Sequence, residues 1–130
     1  RSAREEAGKV LEFFDLAHKR DELAGNLAFG EQRRLEFARA FAAKPALLLL
    51  DEPAAGMNAE EIEQLDARIR KLRDTGMAIL LIEHHVELVM AIADRIAVLN
   101  FGQKIAEGSP ADVQVNPLVR EAYLGTSAAA

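Results

Sequence analysis

The chain has 130 residues, half of them hydrophobic and 28% charged, with a formal net charge of -5. That is enough for one domain with a single core, and an acidic balance without a basic tail argues against a broad nucleic-acid footprint. Without cysteine, disulfides, thiol catalysis and cysteine-ligated zinc are excluded together, a usage that suits the cytoplasm. The longest apolar runs, around Leu47 to Leu50 and Met77 to Ile82, are far too short to span a bilayer. No signal-peptide pattern is read in the chain, and its start at Arg1 reads as a cut inside a longer protein.

From Ala3 to Leu16 the apolar residues Ala7, Val10, Leu11 and Phe14 recur at helical spacing, with Arg4, Glu5, Glu6 and Lys9 opposite, which predicts an amphipathic helix. His18 to Asn26 is polar and poorly periodic and reads as a connector. Leu27-Ala28-Phe29-Gly30-Glu31 then runs into a second helix with Leu35, Ala38, Phe41 and Ala42 on one face. Gly30 falls where that helix begins. A glycine there lets backbone N–H groups approach an anion, which the helix dipole favours. Taken alone, a glycine needed only for the turn is the simpler reading.

The stretch Leu47-Leu48-Leu49-Leu50-Asp51-Glu52-Pro53 organises the rest. A short continuous apolar run bounded by breakers predicts a strand, Ala46 to Leu50, buried on both faces as in parallel sheets. It would deliver Asp51 and Glu52 to the carboxyl edge of the sheet, where open α/β folds bind ligands. One acid there can hold a hydrated divalent cation and the other can orient or deprotonate a water. By itself the pair also suits a solvated acidic turn.

Asn58, with Glu61 three residues on, predicts a capping pair for a helix presenting Ile62, Leu65, Ile69 and Leu72 on one face and ending at Thr75-Gly76. Met77 to Ile82 is a second buried strand, with Glu83-His84-His85 at its end. Neighbouring strand residues point to opposite faces, so His84 and His85 cannot share one zinc ion without distortion. A helix from Val86 to Ala93 would turn Val86, Val89 and Ile92 inward. Arg95 to Leu99 is a third strand, Asn100-Phe101-Gly102-Gln103 a tight turn with glycine left-handed, and Lys104 to Glu107 an antiparallel edge strand. Ser109-Pro110 and Asn116-Pro117 each join a capping residue to a proline at the first helical position. They start two short helices, the second carrying Leu118, Val119, Ala122 and Leu124 and stopping at Gly125. Alternating strand and helix predict an α/β fold with a parallel sheet and right-handed crossovers. The acids and the histidines would then meet on one edge of that sheet.

With these residues in place, the stretch from about Leu27 to Leu124 resembles the C-terminal part of an ATP-binding-cassette (ABC) ATPase. Leu27-Ala28-Phe29-Gly30-Glu31 stands where that family has its LSGGQ signature, and Leu47 to Asp51 matches its Walker B strand. Glu52 takes the place of the catalytic glutamate, Ala54 to Asn58 the D-loop and His84 the switch histidine. Within the family the likeness is to the ATPase subunits of branched-chain amino-acid importers. It is carried by Gly30-Glu31-Gln32-Arg33-Arg34-Leu35-Glu36, the Asp-Glu-Pro-Ala-Ala-Gly loop, Ile82-Glu83-His84 and the ending Val119-Arg120-Glu121-Ala122-Tyr123-Leu124-Gly125. The lipopolysaccharide-export ATPases share that kind of ending. A soluble ABC ATPase of DNA repair or chromosome maintenance is a further alternative, although the coiled coils or basic surface it calls for are not visible.

The resemblance implies a three-layer, P-loop NTPase-like α/β sheet with flanking helices, incomplete here because no G-x-x-x-x-G-K-S/T phosphate loop occurs. It implies a helical-subdomain part over residues 1–45, an α/β core over 46–108 and C-terminal helices over 109–130. Asp51 would hold Mg2+ through water, Glu52 would polarise the attacking water, and His84 would bond the γ-phosphate of ATP. Leu27, Ala28, Phe29, Gly30 and Glu31 would cap the ATP bound by a partner subunit, and the D-loop residues Gly56 and Asn58 would lie at that dimer interface. The departures are Ala28 for the signature serine, Phe29 for a glycine, Glu31 for glutamine, and Asn58 for the usual aspartate. Glu31 also suits a helix-capping role. The implied partners are a second ABC ATPase subunit, in a homo- or heterodimer, and transmembrane permease subunits. Through these the protein, cytoplasmic and peripheral on the inner face of the cell membrane, would serve a periplasmic solute-binding protein; no nucleic-acid partner is implied. The chain alone is expected to be inactive and, with sheet edge and apolar face uncovered, to self-associate.

Overall fold

The computed structural model describes residues 2–125, which divide into two compact units. The first holds the residues up to Leu50 together with Arg70–Leu81, and the second holds Asp51–Ile69 and the residues from Ile82 onward.

Helix α1, Ala3–Phe13, opens on a reciprocal cap: the Ser2 hydroxyl accepts from the Glu5 amide and the Glu5 carboxylate from the Ser2 amide, both at 3.2 Å. It stops short of the predicted Leu16. Asp15 adopts a left-handed φ of 56°, and the amides of Asp15 and Leu16 turn back to the carbonyls of Glu12 and Leu11. This is a Schellman stop made with aspartate where glycine is usual, and it drives Leu16 into the core, 1% exposed. Helix α2, Phe29–Ala42, packs against α1, with Phe13, Phe14 and Phe41 forming a ring cluster whose centroids lie 5.1–5.7 Å apart. The connector between the helices contains two 3-10 turns, Ala17–Lys19 and Ala24–Asn26.

Strands β1, Leu47–Asp51, and β2, Ala78–Ile82, form a two-stranded sheet. The Ala78 amide bonds the Ala46 carbonyl and the Glu52 amide bonds the Ile82 carbonyl, so both strands run in the same direction, as predicted. Burial on both faces does not hold. Leu48 and Leu50 are buried, whereas Leu47 and Leu49 are exposed, as are Leu80 and Ile82 on β2. A run of four leucines carries no alternation, so the residues alone could not distinguish a one-sided strand from a two-sided one.

Helix α3, Ala59–Asp74, is capped as expected: Asn58 Oδ1 accepts from the Glu61 amide at 2.9 Å and Glu61 Oε2 from the Asn58 amide at 2.8 Å. Leu65, Ile69 and Leu72 are its buried stripe, and Gly76, at φ 90°, follows its end. Helix α4, Val86–Ile92, buries Leu88 and Ile92; Val86 and Val89 are only half-buried. Its cap is His85, whose Nδ1 accepts from the Leu88 amide at 3.3 Å, and its inward face is the i, i+4 pair Leu88 and Ile92.

Strands β3, Ile96–Asn100, and β4, Gln103–Gly108, make an antiparallel hairpin with Asn100 opposite Gln103 and a bulge between Val98 and Leu99. Phe101 and Gly102 both take positive φ, 48° and 75°, the requirement of a two-residue I′ turn. The hairpin is its own sheet, where a third parallel strand beside the first two was expected. Alternation of strand and helix specifies crossovers, not which strands become neighbours. Helix α5, Pro110–Gln114, and the short helix α6, Pro117–Val119, start at the predicted Ser109 and Asn116 caps. After α6 the chain widens into a π-helical turn, Arg120–Leu124. Val119 is buried with Ile96 and Val113, Leu124 packs against them, and Leu118 and Ala122, predicted to face inward with them, are exposed. No helix among the described residues is long and apolar enough to cross a membrane.

Candidate functional site

Parallel pairing carries one residue beyond β1, where the Glu52 amide donates to the Ile82 carbonyl at 2.7 Å. The chain then leaves the strand direction abruptly, with Glu52 at a left-handed φ of 46°. This conformation is uncommon for a residue with a β-carbon and is typical of turns and functional sites. The turn continues through buried Pro53 and Ala54, with the Ala55 amide on the Glu52 carbonyl and the Met57 amide on the Ala54 carbonyl. Gly56, at φ 76°, reverses the chain into the Asn58 cap of α3. Asp51 and Glu52 are both exposed.

The end of β2 brings His84 to this turn. Its Nδ1 lies 3.1 Å from Glu52 Oε1, so residues 32 positions apart in sequence meet, as their common sheet edge predicted. Between Ile82 and His84, Glu83 turns the other way, and its side chain is 1% exposed. Its Oε2 accepts from the Ala54 amide and its Oε1 from the His84 amide, both at 3.1 Å. Sequence reasoning gave Glu83 no role. The available signal was a carboxylate placed by strand alternation on the face opposite His84, which must find donors if it is buried.

In the first unit, Ala28 is the N-cap of α2, with extended backbone, and Phe29 is the first helical residue, more than half exposed. A β-carbon added at exposed Gly30 would meet nothing within 4 Å, so local packing does not require glycine there. Glu31 Oε1 accepts from the Ala28 amide at 3.3 Å, which is the capping alternative, while its Oε2 is buried without a hydrogen-bond partner. Alanine at position 28 cannot return the bond, so only half of a capping box forms. Gln32 Nε2 donates to the Leu27 carbonyl at 3.1 Å and ties Leu27 to the helix.

Among the described residues no group of three or more His, Asp or Glu side chains could hold a metal ion. A divalent cation here would therefore rest on one carboxylate, its own waters and ligand oxygens, which is how Mg2+ is commonly held. Asp51, exposed at the strand end, fits that requirement.

A family model described as ABC transporter matches residues 2–55, and one described as branched-chain amino acid ATP-binding cassette transporter matches residues 103–129. The fold resembles that of an ATP-binding cassette of an ABC transporter solved in its ADP conformation, with a TM-score of 0.84 and 33% identity over 96% of this chain and 52% of that one. The chain is similar over nearly its whole length to ATP-binding proteins of ABC transporters, and its α/β fold is part of that P-loop NTPase-like architecture. It is 48% identical to BraF of Pseudomonas aeruginosa and to LivG of Escherichia coli, both high-affinity branched-chain amino acid transport ATP-binding proteins. It is 37% identical to LptB of Escherichia coli, a lipopolysaccharide export system ATP-binding protein. These alignments cover 96%, 95% and 92% of this chain and 49% of each relative, so the chain spans about half the length of the curated relatives it matches.

Proposed function

We propose that Asp51, Glu52, the loop Ala54 to Asn58 and His84 form the Walker B, D-loop and switch-histidine side of an ATP site in an importer ATPase for branched-chain or other hydrophobic amino acids, and that Leu27 to Glu31 serve the site of a second subunit. A phosphate loop outside the 130 residues would supply the other side. The observation that carries this reading is the meeting of Glu52 and His84 at 3.1 Å where two parallel strands end. That is a place where a carboxylate can take or polarise a water's proton while an imidazole holds an adjacent oxygen. The 48% identity to branched-chain amino acid transport ATPases, against 37% to the lipopolysaccharide-export protein, supports the amino-acid solute over the export alternative.

In this reading Asp51 holds Mg2+ through its waters, and the ion neutralises phosphate charge when bound. Glu52 orients the water that attacks the γ-phosphorus, ADP leaving as that bond forms, and His84 hydrogen-bonds a γ-phosphate oxygen. Leu27 to Glu31 cap the nucleotide of a second ATPase subunit, with Gly30 admitting close backbone approach and the loop of Gly56 and Asn58 at the subunit contact. Permease subunits would receive the work at the inner face of the membrane, with a solute-binding protein beyond them.

The test joins this chain to a phosphate-loop half and measures ATP turnover. Hydrolysis that falls by about two to four orders of magnitude in Glu52→Gln, the range for loss of a general base, is the expected result. The 130-residue chain by itself should neither hydrolyse ATP nor bind it detectably by calorimetry. Turnover by the chain alone, abolished by Glu52→Gln, would overturn the two-sided site. Turnover in the joined protein that is indifferent to Glu52 would overturn the assignment of Glu52.

A further inference from the structure

We propose that Glu83 is a positioning residue, a buried carboxylate clamp that fixes the Ala54 amide at the head of the D-loop and the His84 imidazole facing Glu52. The side chain is 1% exposed. A carboxylate withdrawn from water to that extent persists only where N–H groups replace the lost hydration. The Ala54 amide reaches Oε2 and the His84 amide reaches Oε1, each at 3.1 Å. One of these bonds spans 29 residues, tying the loop after β1 to the end of β2.

The same Oε1 lies 3.6 Å from His84 Nδ1, and Glu52 Oε1 lies 3.1 Å from it. At 3.6 Å the Glu83 oxygen is beyond hydrogen-bond range of Nδ1, and Glu52 is the ring's nearer carboxylate partner. Glu83 thus sets where the imidazole lies, through the backbone amide of the same residue. It touches neither water nor phosphate in this role, because its oxygens face protein donors.

The catalytic consequence rests on the ATPase reading above; the geometric one does not, and the experiment separates them. In the 130-residue chain, amide exchange reads the two clamped amides, Ala54 and His84. Glu83→Gln keeps the shape but offers one acceptor oxygen to two N–H donors. The expected result is exchange faster by about tenfold or more at whichever of the two amides loses its acceptor, with the Leu65 amide in α3 unchanged. Acceleration of all amides alike, or unchanged exchange at both Ala54 and His84, would overturn the clamp. In the protein joined to its phosphate-loop half, kcat of Glu83→Gln should fall by roughly tenfold or more while KM for ATP stays within about twofold. Unchanged kcat beside the altered exchange would overturn the positioning role. Absence of hydrolysis in the unmutated joined protein would refute the ATPase reading and leave the exchange result to decide the clamp.

Discussion

The left-handed backbone of Glu52 makes a prediction in which the usual effect of glycine changes sign. At φ 46°, a residue with a β-carbon costs about 1–2 kcal/mol relative to the right-handed regions. Replacing Glu52 by glycine removes that cost but adds unfolded-state freedom worth roughly 0.4–1 kcal/mol. Alanine at the same position keeps the strain. Both substitutions also delete the contact with His84. Glu52 and His84 side chains are 55% and 70% exposed, so that contact contributes at most about 0.5 kcal/mol and is removed equally in both variants. Glu52→Gly should therefore be more stable than Glu52→Ala by about 0.5–1 kcal/mol. With a urea dependence near 2 kcal/mol per molar, the midpoint difference is about 0.3–0.5 M. In an ordinary strand or helix the order is reversed, because alanine is then the more stable residue. Equal midpoints, or a higher midpoint for alanine, would show that the strained turn is not held in solution and would remove the physical basis for a preformed site at Glu52. If the turn is real and Glu52 orients water, Glu52→Gly gains stability while losing hydrolysis in the joined protein, a trade that functional strain commonly produces.

Leu47 and Leu49 on β1 and Leu80 on β2 present an uncovered apolar face, each more than half exposed, and such faces are generally covered by pairing. Sedimentation of the 130-residue chain should show concentration-dependent association that Leu49→Lys weakens without loss of secondary structure; a concentration-independent monomer would refute this. On the hairpin, the Lys104 ammonium, hydrogen-bonded to Glu107 at 3.2 Å, and after it the Arg95 guanidinium at 3.6 Å hold the Glu107 carboxyl below its ordinary value of 4.5. A lowered carboxylate pKa stabilises the fold above the ordinary value, and that contribution disappears as pH falls through the lowered one. An NMR titration should give Glu107 a midpoint below 4.5 that rises toward it in Lys104→Met and in high salt, since the group is exposed and screened. A midpoint indifferent to Lys104 would refute the pairing.

The amino-acid sequence by itself determined the local devices. Asn58 with Glu61, Ser109-Pro110 and Asn116-Pro117 cap the predicted helices, and Phe101-Gly102 turns the predicted hairpin, because caps and tight turns depend on side chains within a few residues of the backbone they satisfy. The order of Leu27–Glu31, Asp51-Glu52 and His84 was equally legible and carried the resemblance to ABC ATPases. Only the tertiary structure decided which sheet β3 joined, that the leucine strand has an open face, that α6 passes into a π turn and that Leu118 is exposed. It alone showed the left-handed Glu52 and the Glu83 carboxylate bonded across 29 residues to Ala54. These features depend on what lies opposite a residue rather than beside it. A long-range donor meeting a buried carboxylate leaves no periodic trace in a single sequence, so the Glu83 bonds appeared only when the two strand ends met.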